Sequence, residues 1–140
     1  MNRINLVCLG VRDMEKSLAF YKGIGFKTQV TEQNPPLVFF NHAGTRLELY
    51  PLQNLAKDIN ESHPPALADG GFNGITFAIN VKSEQEVDDL IALVQHHGGT
   101  RSSRHKKSTG AATAVIFAIP MAITGRLPGH PSGSLTLETG

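Results

Sequence analysis

The feature that most constrains the fold of this chain is an internal repeat. Residues 4–11 form an apolar segment that predicts a buried strand, and Asp13 follows it as the N-cap of a helix. About seventy residues later the same order returns, with an alternating segment over 74–81, a cap at Ser83 and an amphipathic helix that ends at a pair of glycines. Two copies of one strand–helix unit predict two similar modules that share a core.

Turn residues and apolar spacing complete the first copy. Met14, Leu18 and Tyr21 form one apolar stripe on its helix, which we expect to end at Gly23 and Gly25. Asn-Pro-Pro and His-Ala-Gly segments then separate three runs that predict strands. These strands are Lys27–Thr31, Leu37–Asn41 and Arg46–Tyr50, so that the first copy has the order βαβββ.

We divide the chain accordingly and assign it to the α+β class. Residues 51–73 have no sustained period and predict a linker with a short helical turn near Leu55. The predicted parts are a first βαβββ module over 1–50, the linker over 51–73, the start of a second module over 74–100 and an atypical tail over 101–140.

Composition excludes several classes of protein. A formal net charge of +1 gives no electrostatic basis for binding nucleic acid or a membrane surface. No apolar run approaches the roughly 20 residues that cross a bilayer, and the first residues lack a signal-peptide pattern, so we expect a cytoplasmic protein. Cys8 is the one cysteine, which excludes an intrachain disulfide and a multi-cysteine zinc site.

The order and spacing of several segments resemble the vicinal oxygen chelate superfamily, the group of glyoxalases, bleomycin-resistance proteins and extradiol dioxygenases. The segments that carry the resemblance are Leu9–Asp13, Ser17–Tyr21, Gly25-Phe26, Gly44–Leu49 and Gly74–Gly99. The resemblance implies two βαβββ modules that curl into a cupped mixed sheet around a pocket. It also implies a divalent metal held in many members by His or Glu side chains from the first and fourth strands of each module.

The chain departs from that metal pattern. Leu6 and Gly74 match the first-strand ligand positions, and neither side chain can bind a metal. Glu48 matches the fourth-strand ligand of the first module and is the one ligand position retained. We therefore expect no cofactor, and we expect Cys8 to be a small buried hydrophobe and not a nucleophile.

From the resemblance and the missing metal ligands, we expect a metal-independent protein that binds a small molecule and forms a homodimer. Glu48 is the expected polar anchor for a hydroxyl or amine of the ligand. Two alternatives remain open, namely a metal-dependent glyoxalase- or dioxygenase-like enzyme and a non-functional product of a shifted reading frame. The residues expected to line the pocket are Leu6, Cys8, Phe39, Glu48, Tyr50, Gly74 and Thr76.

The tail lacks the stretch that is most typical of the superfamily, which resembles W-G-G-Y-S-G-Y-F-x-D-P-D-G-H-x-W-E-V-A. Codons that begin at the third base of each residue over 109–128 can encode this whole stretch in register, and Met121-Ala122 forces its glycine. We therefore hypothesise a frameshift from about Arg101 onward, which also accounts for the absence of tryptophan from the chain. The apolar segment Ala111–Ile119 predicts a substitute strand.

Overall fold

Two strand–helix units follow each other along the chain, as the repeat predicts. The computed structural model describes residues 1–41, 44–68, 74–105 and 113–118. None of the helices in these ranges is long and apolar enough to cross a bilayer. The elements are β1 (Leu6–Val11), α1 (Met14–Gly23), β2 (Val38–Phe39), β3 (Arg46–Pro51), α2 (Leu52–Ile59), β4 (Thr76–Val81), α3 (Glu84–His96), β5 (Thr100–His105) and β6 (Thr113–Ala118).

Helix α1 forms as its sequence predicts. The Asp13 side chain accepts a hydrogen bond from the Lys16 backbone N–H at 3.0 Å and so caps the first turn. The stripe of Met14, Leu18 and Tyr21 is buried, which confirms the face predicted from its spacing. The chain then turns at Gly25, whose φ of +107° favours glycine.

The first sheet has the order β1-β3-β2, with β1 parallel and β2 antiparallel to β3. Val38, Leu47 and Leu49 are buried in the core cluster that also contains the stripe of α1. Because side chains alternate along a strand, the residues between them face away from α1. The sheet therefore has one face in the core and a second face whose side chains are partly or fully exposed.

The prediction of a strand over Lys27–Thr31 is wrong, because the structure has no strand between α1 and β2. This segment joins the sheet through a backbone hydrogen bond from Asn41 N–H to the Lys27 carbonyl at 2.7 Å. The Thr28 hydroxyl donates to the Phe39 carbonyl at 2.7 Å, so that a side chain takes an acceptor that a strand would use. The strand predicted over Leu37–Asn41 is reduced to β2, and the turn predicted at His42-Ala43 lies outside the described residues.

The linker contains more structure than the single helical turn predicted near Leu55. Helix α2 covers eight residues and contacts both β1 and β3. It approaches the sheet at Gly10, where a Cβ atom would lie 2.5 Å from Leu52 Cδ1. The absence of a side chain at Gly10 therefore allows α2 to pack directly on the first sheet.

The start of the second module also forms as predicted. The Ser83 hydroxyl accepts from the Glu86 backbone N–H at 3.2 Å, and the Glu86 carboxylate accepts from the Ser83 backbone N–H at 3.1 Å. This reciprocal pair is the predicted capping box. Val87 and Val94 are buried within the same core as α1, so that the two modules share one core.

The second sheet differs from the first in the direction of its central strand. Its order is β4-β6-β5, and β6 is antiparallel to both neighbours. In the first module β3, the central strand, is parallel to β1. Strand β6 lies within the predicted segment Ala111–Ile119, whereas the ends of that segment and the chain beyond it lie outside the described residues. The α+β class and the incomplete second module are thus confirmed.

Candidate functional site

Strand register brings three of the predicted site residues into one row. Cys8 of β1 and Phe39 of β2 are both register partners of Glu48 in β3. Leu6 and Tyr50 lie two residues away on β1 and β3, so they share this face by alternation. We call the surface formed by Leu6, Cys8, Phe39, Glu48 and Tyr50 the cup face.

Cys8 and Glu48 are neighbours on the cup face. The two residues are register partners on adjacent strands, so the Glu48 carboxylate lies close enough to act on the Cys8 thiol. Burial, together with the negative charge of Glu48, raises the pKa of Cys8 from 9.0 to about 11. At neutral pH the thiol is therefore protonated, and a protonated thiol is a poor nucleophile.

Helix α2 borders the cup face and adds a further carboxylate. A pocket of about 490 Å³ is lined by Tyr50 together with Asn54, Asp58 and Glu61 of α2 and the residues after it. Asp58 also contributes to the raised pKa of Cys8, which places its charge near the row of Cys8 and Glu48. Two carboxylates, Glu48 and Asp58, therefore lie near the row of Cys8, and Lys57 of α2 lines the same pocket as Asp58.

The two remaining predicted residues belong to the second module. Gly74 is exposed with a φ of +79°, and Thr76 is the first residue of β4. Strand β4 pairs with β6 and not with β1 or β3, so neither residue enters the row of Cys8, Glu48 and Phe39.

The donor atoms of the cup face do not form a metal-ligand set. Within the ranges that the structure describes, no three His, Cys, Asp or Glu side chains converge in a way that could hold an ion. Leu6, at the position where the superfamily pattern has a ligand, lies on the cup face with an apolar side chain.

A second cavity was not predicted from the sequence. It has a volume of about 410 Å³ and is lined by Val7, Tyr21, Phe26, Leu47 and Phe77, among others. Tyr21 was identified only as part of the apolar stripe of α1, yet its hydroxyl is buried and has no hydrogen-bond partner among the described residues. The signal in the sequence was that a tyrosine on a core stripe carries a polar atom that requires a partner.

Comparison with known proteins gives a family match and several structural neighbours. A family model described as the glyoxalase/bleomycin resistance protein/dioxygenase superfamily matches residues 3–119. No curated protein matches the sequence.

Three solved structures illustrate the similarity of fold. A glyoxalase-related enzyme from Fulvimarina pelagi is 23% identical with a TM-score of 0.56, covering 84% of this chain and 81% of its own. A glyoxalase/bleomycin resistance protein/dioxygenase from Nocardioides is 19% identical with a TM-score of 0.54, covering 92% and 89%. A lactoylglutathione lyase from Agrobacterium tumefaciens is 19% identical with a TM-score of 0.50, covering 81% and 84%. At these identities the likeness concerns the fold alone.

Proposed function

The chain belongs to the glyoxalase/bleomycin resistance protein/dioxygenase superfamily, and from this premise we propose that it is a metal-independent protein that binds a small molecule on the cup face. Glu48 carries the proposal because it is the central charged group of that face and has neighbours on both sides in register. Its carboxylate accepts hydrogen bonds from a hydroxyl or an amine of the ligand.

The surroundings of Glu48 support an organic ligand. Leu6 and Phe39 are 40% and 43% exposed, so each presents apolar surface on the same face as the carboxylate. Binding sites for small molecules combine such apolar walls with a few polar groups that fix orientation. The ligand class is therefore an apolar or aromatic body that carries an amine or a hydroxyl group.

The same residues argue against a divalent metal at this position. A catalytic metal in this superfamily would need two or three further His or Glu ligands beside Glu48. Within the described ranges, no three His, Cys, Asp or Glu side chains come together in a way that could hold an ion, around Glu48 or elsewhere.

Calorimetric titration with three probes tests the proposal. Phenethylamine, 2-phenylethanol and phenylacetate share an aromatic body and differ in the group that would meet Glu48. We expect the amine to bind most tightly, the alcohol more weakly, and the carboxylate not at the cup face because two like charges repel. Glu48→Gln should weaken binding of the amine about tenfold or more, the usual effect of losing a hydrogen bond between charged groups.

Glu15→Gln is the matched control, since Glu15 is an exposed carboxylate on α1, away from the cup face. Equal binding of phenethylamine by the Glu48→Gln protein and the unchanged protein would contradict the assignment of Glu48. Elemental analysis of the purified protein tests metal independence separately. One divalent ion per chain, lost in a Glu48→Ala variant, would instead support the metal-dependent enzyme of the glyoxalase or dioxygenase type.

A thermal melt tests the remaining alternative, a non-functional product of a shifted reading frame. A folded binding protein should melt in one cooperative transition whose midpoint rises with the concentration of phenethylamine. A transition without cooperativity would favour the non-functional product. Sedimentation velocity on the same sample tests the homodimer that we predict.

A further inference from the structure

A cation, Arg46, lies beside Glu48 on the open side of the first sheet. Arg46 is the first residue of β3, and the parallel pairing of β1 with β3 makes it the register partner of Leu6. Because side chains alternate along a strand, Arg46 and Glu48 point to the same side of the sheet, while Leu47 between them is buried. Arg46 therefore borders the cup face at the end where Leu6 lies.

Neither of these charged groups is neutralised by a partner among the residues that the structure describes. In that part of the chain the Arg46 guanidinium group has no ion pair or hydrogen bond, and its side chain is exposed. The half-buried Glu48 carboxylate has no ion pair there either, and its register partners Cys8 and Phe39 carry no positive charge. Both charged groups are thus available to a ligand.

The two charges are close enough to act on one ligand, yet no ion pair joins them. Residues two apart on a strand lie about 7 Å from each other along the chain. An ammonium group bound by Glu48 would be repelled by the guanidinium group of Arg46, and a carboxylate on the same ligand would offset this repulsion. The pair of charges therefore favours a ligand that carries both an ammonium group and a carboxylate.

Exposed apolar side chains flank the two charges on the same side of the sheet. Strand β3 is the central strand, so that Leu6 of β1 lies on one side of it and Phe39 of β2 on the other. Leu6 is in register with Arg46, and Phe39 is in register with Glu48. This side of the sheet therefore offers three kinds of contact, which are an anion, a cation and an apolar surface.

We propose that the ligand of the cup face is a zwitterion with an apolar body, of which an apolar α-amino acid is the simplest case. Glu48 accepts hydrogen bonds from its ammonium group, Arg46 donates to its carboxylate, and the apolar body contacts Leu6 and Phe39. This inference rests on the proposed function, because it adds a second polar contact to the amine site that Glu48 defines. It makes Arg46 the residue that determines specificity.

Three different contacts on one face also predict a preference for one mirror image of the ligand. An α-carbon that carries an ammonium group, a carboxylate and an apolar side chain can place all three against Glu48, Arg46 and Phe39 in only one of its two configurations. The other enantiomer must give up one of these contacts, so L- and D-phenylalanine should differ in affinity. Attraction of the charges at long range would not distinguish the two enantiomers.

Calorimetric titration with compounds related to phenylalanine tests this proposal. Phenethylamine is phenylalanine without the carboxylate, and 3-phenylpropanoate is phenylalanine without the ammonium group. We expect the preferred enantiomer of phenylalanine to bind about threefold to tenfold more tightly than phenethylamine, as is usual for a charge pair that stays partly in contact with water. We expect 3-phenylpropanoate to bind least, because its carboxylate meets Glu48 with no ammonium group between them.

Substitutions at Arg46 assign the contact with the carboxylate. Arg46→Gln should remove the advantage of phenylalanine over phenethylamine, and it should not weaken phenethylamine binding, because it removes a cation near the ammonium group. Arg46→Lys, which keeps the charge and loses the planar fork of donors, should retain part of the advantage. Lys22→Gln removes an equal charge from the exposed last turn of α1 and should change neither affinity.

This inference and the proposed function can fail separately. The inference is overturned if phenylalanine binds no more tightly than phenethylamine, if its two enantiomers bind equally, or if Arg46→Gln leaves its advantage unchanged. In each of these cases, phenethylamine binding that depends on Glu48 would still support the proposed function, whereas the absence of binding by both compounds would overturn both.

Lys57 is a second cation near the site, because it lines the pocket between α2 and Tyr50. If Arg46 binds the carboxylate, Lys57→Gln should leave the advantage of phenylalanine over phenethylamine in place. Loss of this advantage in Lys57→Gln but not in Arg46→Gln would assign the carboxylate to α2 and overturn the role of Arg46.

Discussion

The chemistry of Cys8 follows from which residue lies beside it in the sheet. Parallel pairing of β1 with β3 places Glu48 in register with Cys8, so that the negative charge of the carboxylate acts on the thiol. Both burial and the negative neighbour favour the protonated thiol. A cysteine that could suggest a nucleophile in the sequence is thus, in the folded chain, a thiol that burial and the charge of Glu48 keep protonated at neutral pH.

Alkylation with iodoacetamide as a function of pH checks this interpretation. Because the folded thiol has a pKa of about 11 against 9.0 for a free thiol, its alkylation rate should reach half of its maximum near pH 11. The folded chain gains stability from the raised pKa below about pH 9, and loses it as the pH rises through 11. Glu48→Gln should move the midpoint to lower pH, although not to the free value, because burial remains. A midpoint near 9 in the folded chain would refute the Cys8–Glu48 contact.

Among the secondary-structure elements, α2 depends most directly on one backbone position. A Cβ at Gly10 would lie 2.5 Å from Leu52 Cδ1 and 3.2 Å from Leu52 Cα. The second distance involves the backbone of the helix, so that side-chain rotation alone does not relieve the contact. Since α2 carries Asp58 and borders the cup face, Gly10 also determines the shape of the proposed site.

Gly10→Ala should therefore displace α2 from the first sheet. We expect the free energy of unfolding to fall by about 1–3 kcal/mol, the usual cost of overpacking, as measured by urea denaturation. A Leu52→Ala change in the same chain removes the nearest atom, and the double variant should recover part of the loss. If Gly10→Ala has no effect on stability or on binding of phenethylamine, the close approach of α2 is not required.

Local signals predict helices well, whereas pairing and cavities depend on residues far apart in the chain. The caps at Asp13 and Ser83 act within one helical turn, and both helices form as predicted. The prediction of a strand over Lys27–Thr31 fails because the Thr28 side-chain hydroxyl donates to the Phe39 carbonyl of the neighbouring strand. No local sequence pattern shows this contact. The cavity beside Tyr21 was missed because its walls come from positions as distant as Val7 and Phe77.

Strand alternation in the sequence predicts which residues of β3 lie on the cup face, whereas the neighbours of these residues on other strands follow only from the fold. Alternation along β3 correctly separates Glu48 and Tyr50 from the buried Leu47 and Leu49. It could not show that Cys8 lies opposite Glu48, because the register between β1 and β3 is fixed by the intervening helix and loops. The position of Asp58 near the cup face also could not be predicted, because Asp58 belongs to α2, which is longer than the single helical turn predicted near Leu55.

Considered as a whole, the molecule has a regular first module and an altered second one. Strand β6 fills the central place of the second sheet in the direction opposite to that of β3 in the first. The frameshift hypothesis accounts for such a difference, because the expected final strand of the module is not encoded in this frame. The alternative frame would supply that strand with the W-E-V-A segment.

The coding DNA tests the hypothesis directly. We expect the codons of residues 109–128, read from their third bases, to spell the missing superfamily stretch. A chain translated in that frame should gain a strand parallel to β4 and melt at a higher temperature, because it completes the second sheet. Codons that spell an unrelated sequence would rule the frameshift out.

The opposite direction of β6 also breaks the internal symmetry of the chain. A rotation that superposes β1 on β4 would leave the two central strands, β3 and β6, running in opposite directions. Duplicated modules with equal strand directions could present the same binding surface twice, once in each half. Within residues 74–105 and 113–118, the row of Cys8, Glu48 and Phe39 has no rotational counterpart, so the binding stoichiometry at the cup face should be one amine per chain.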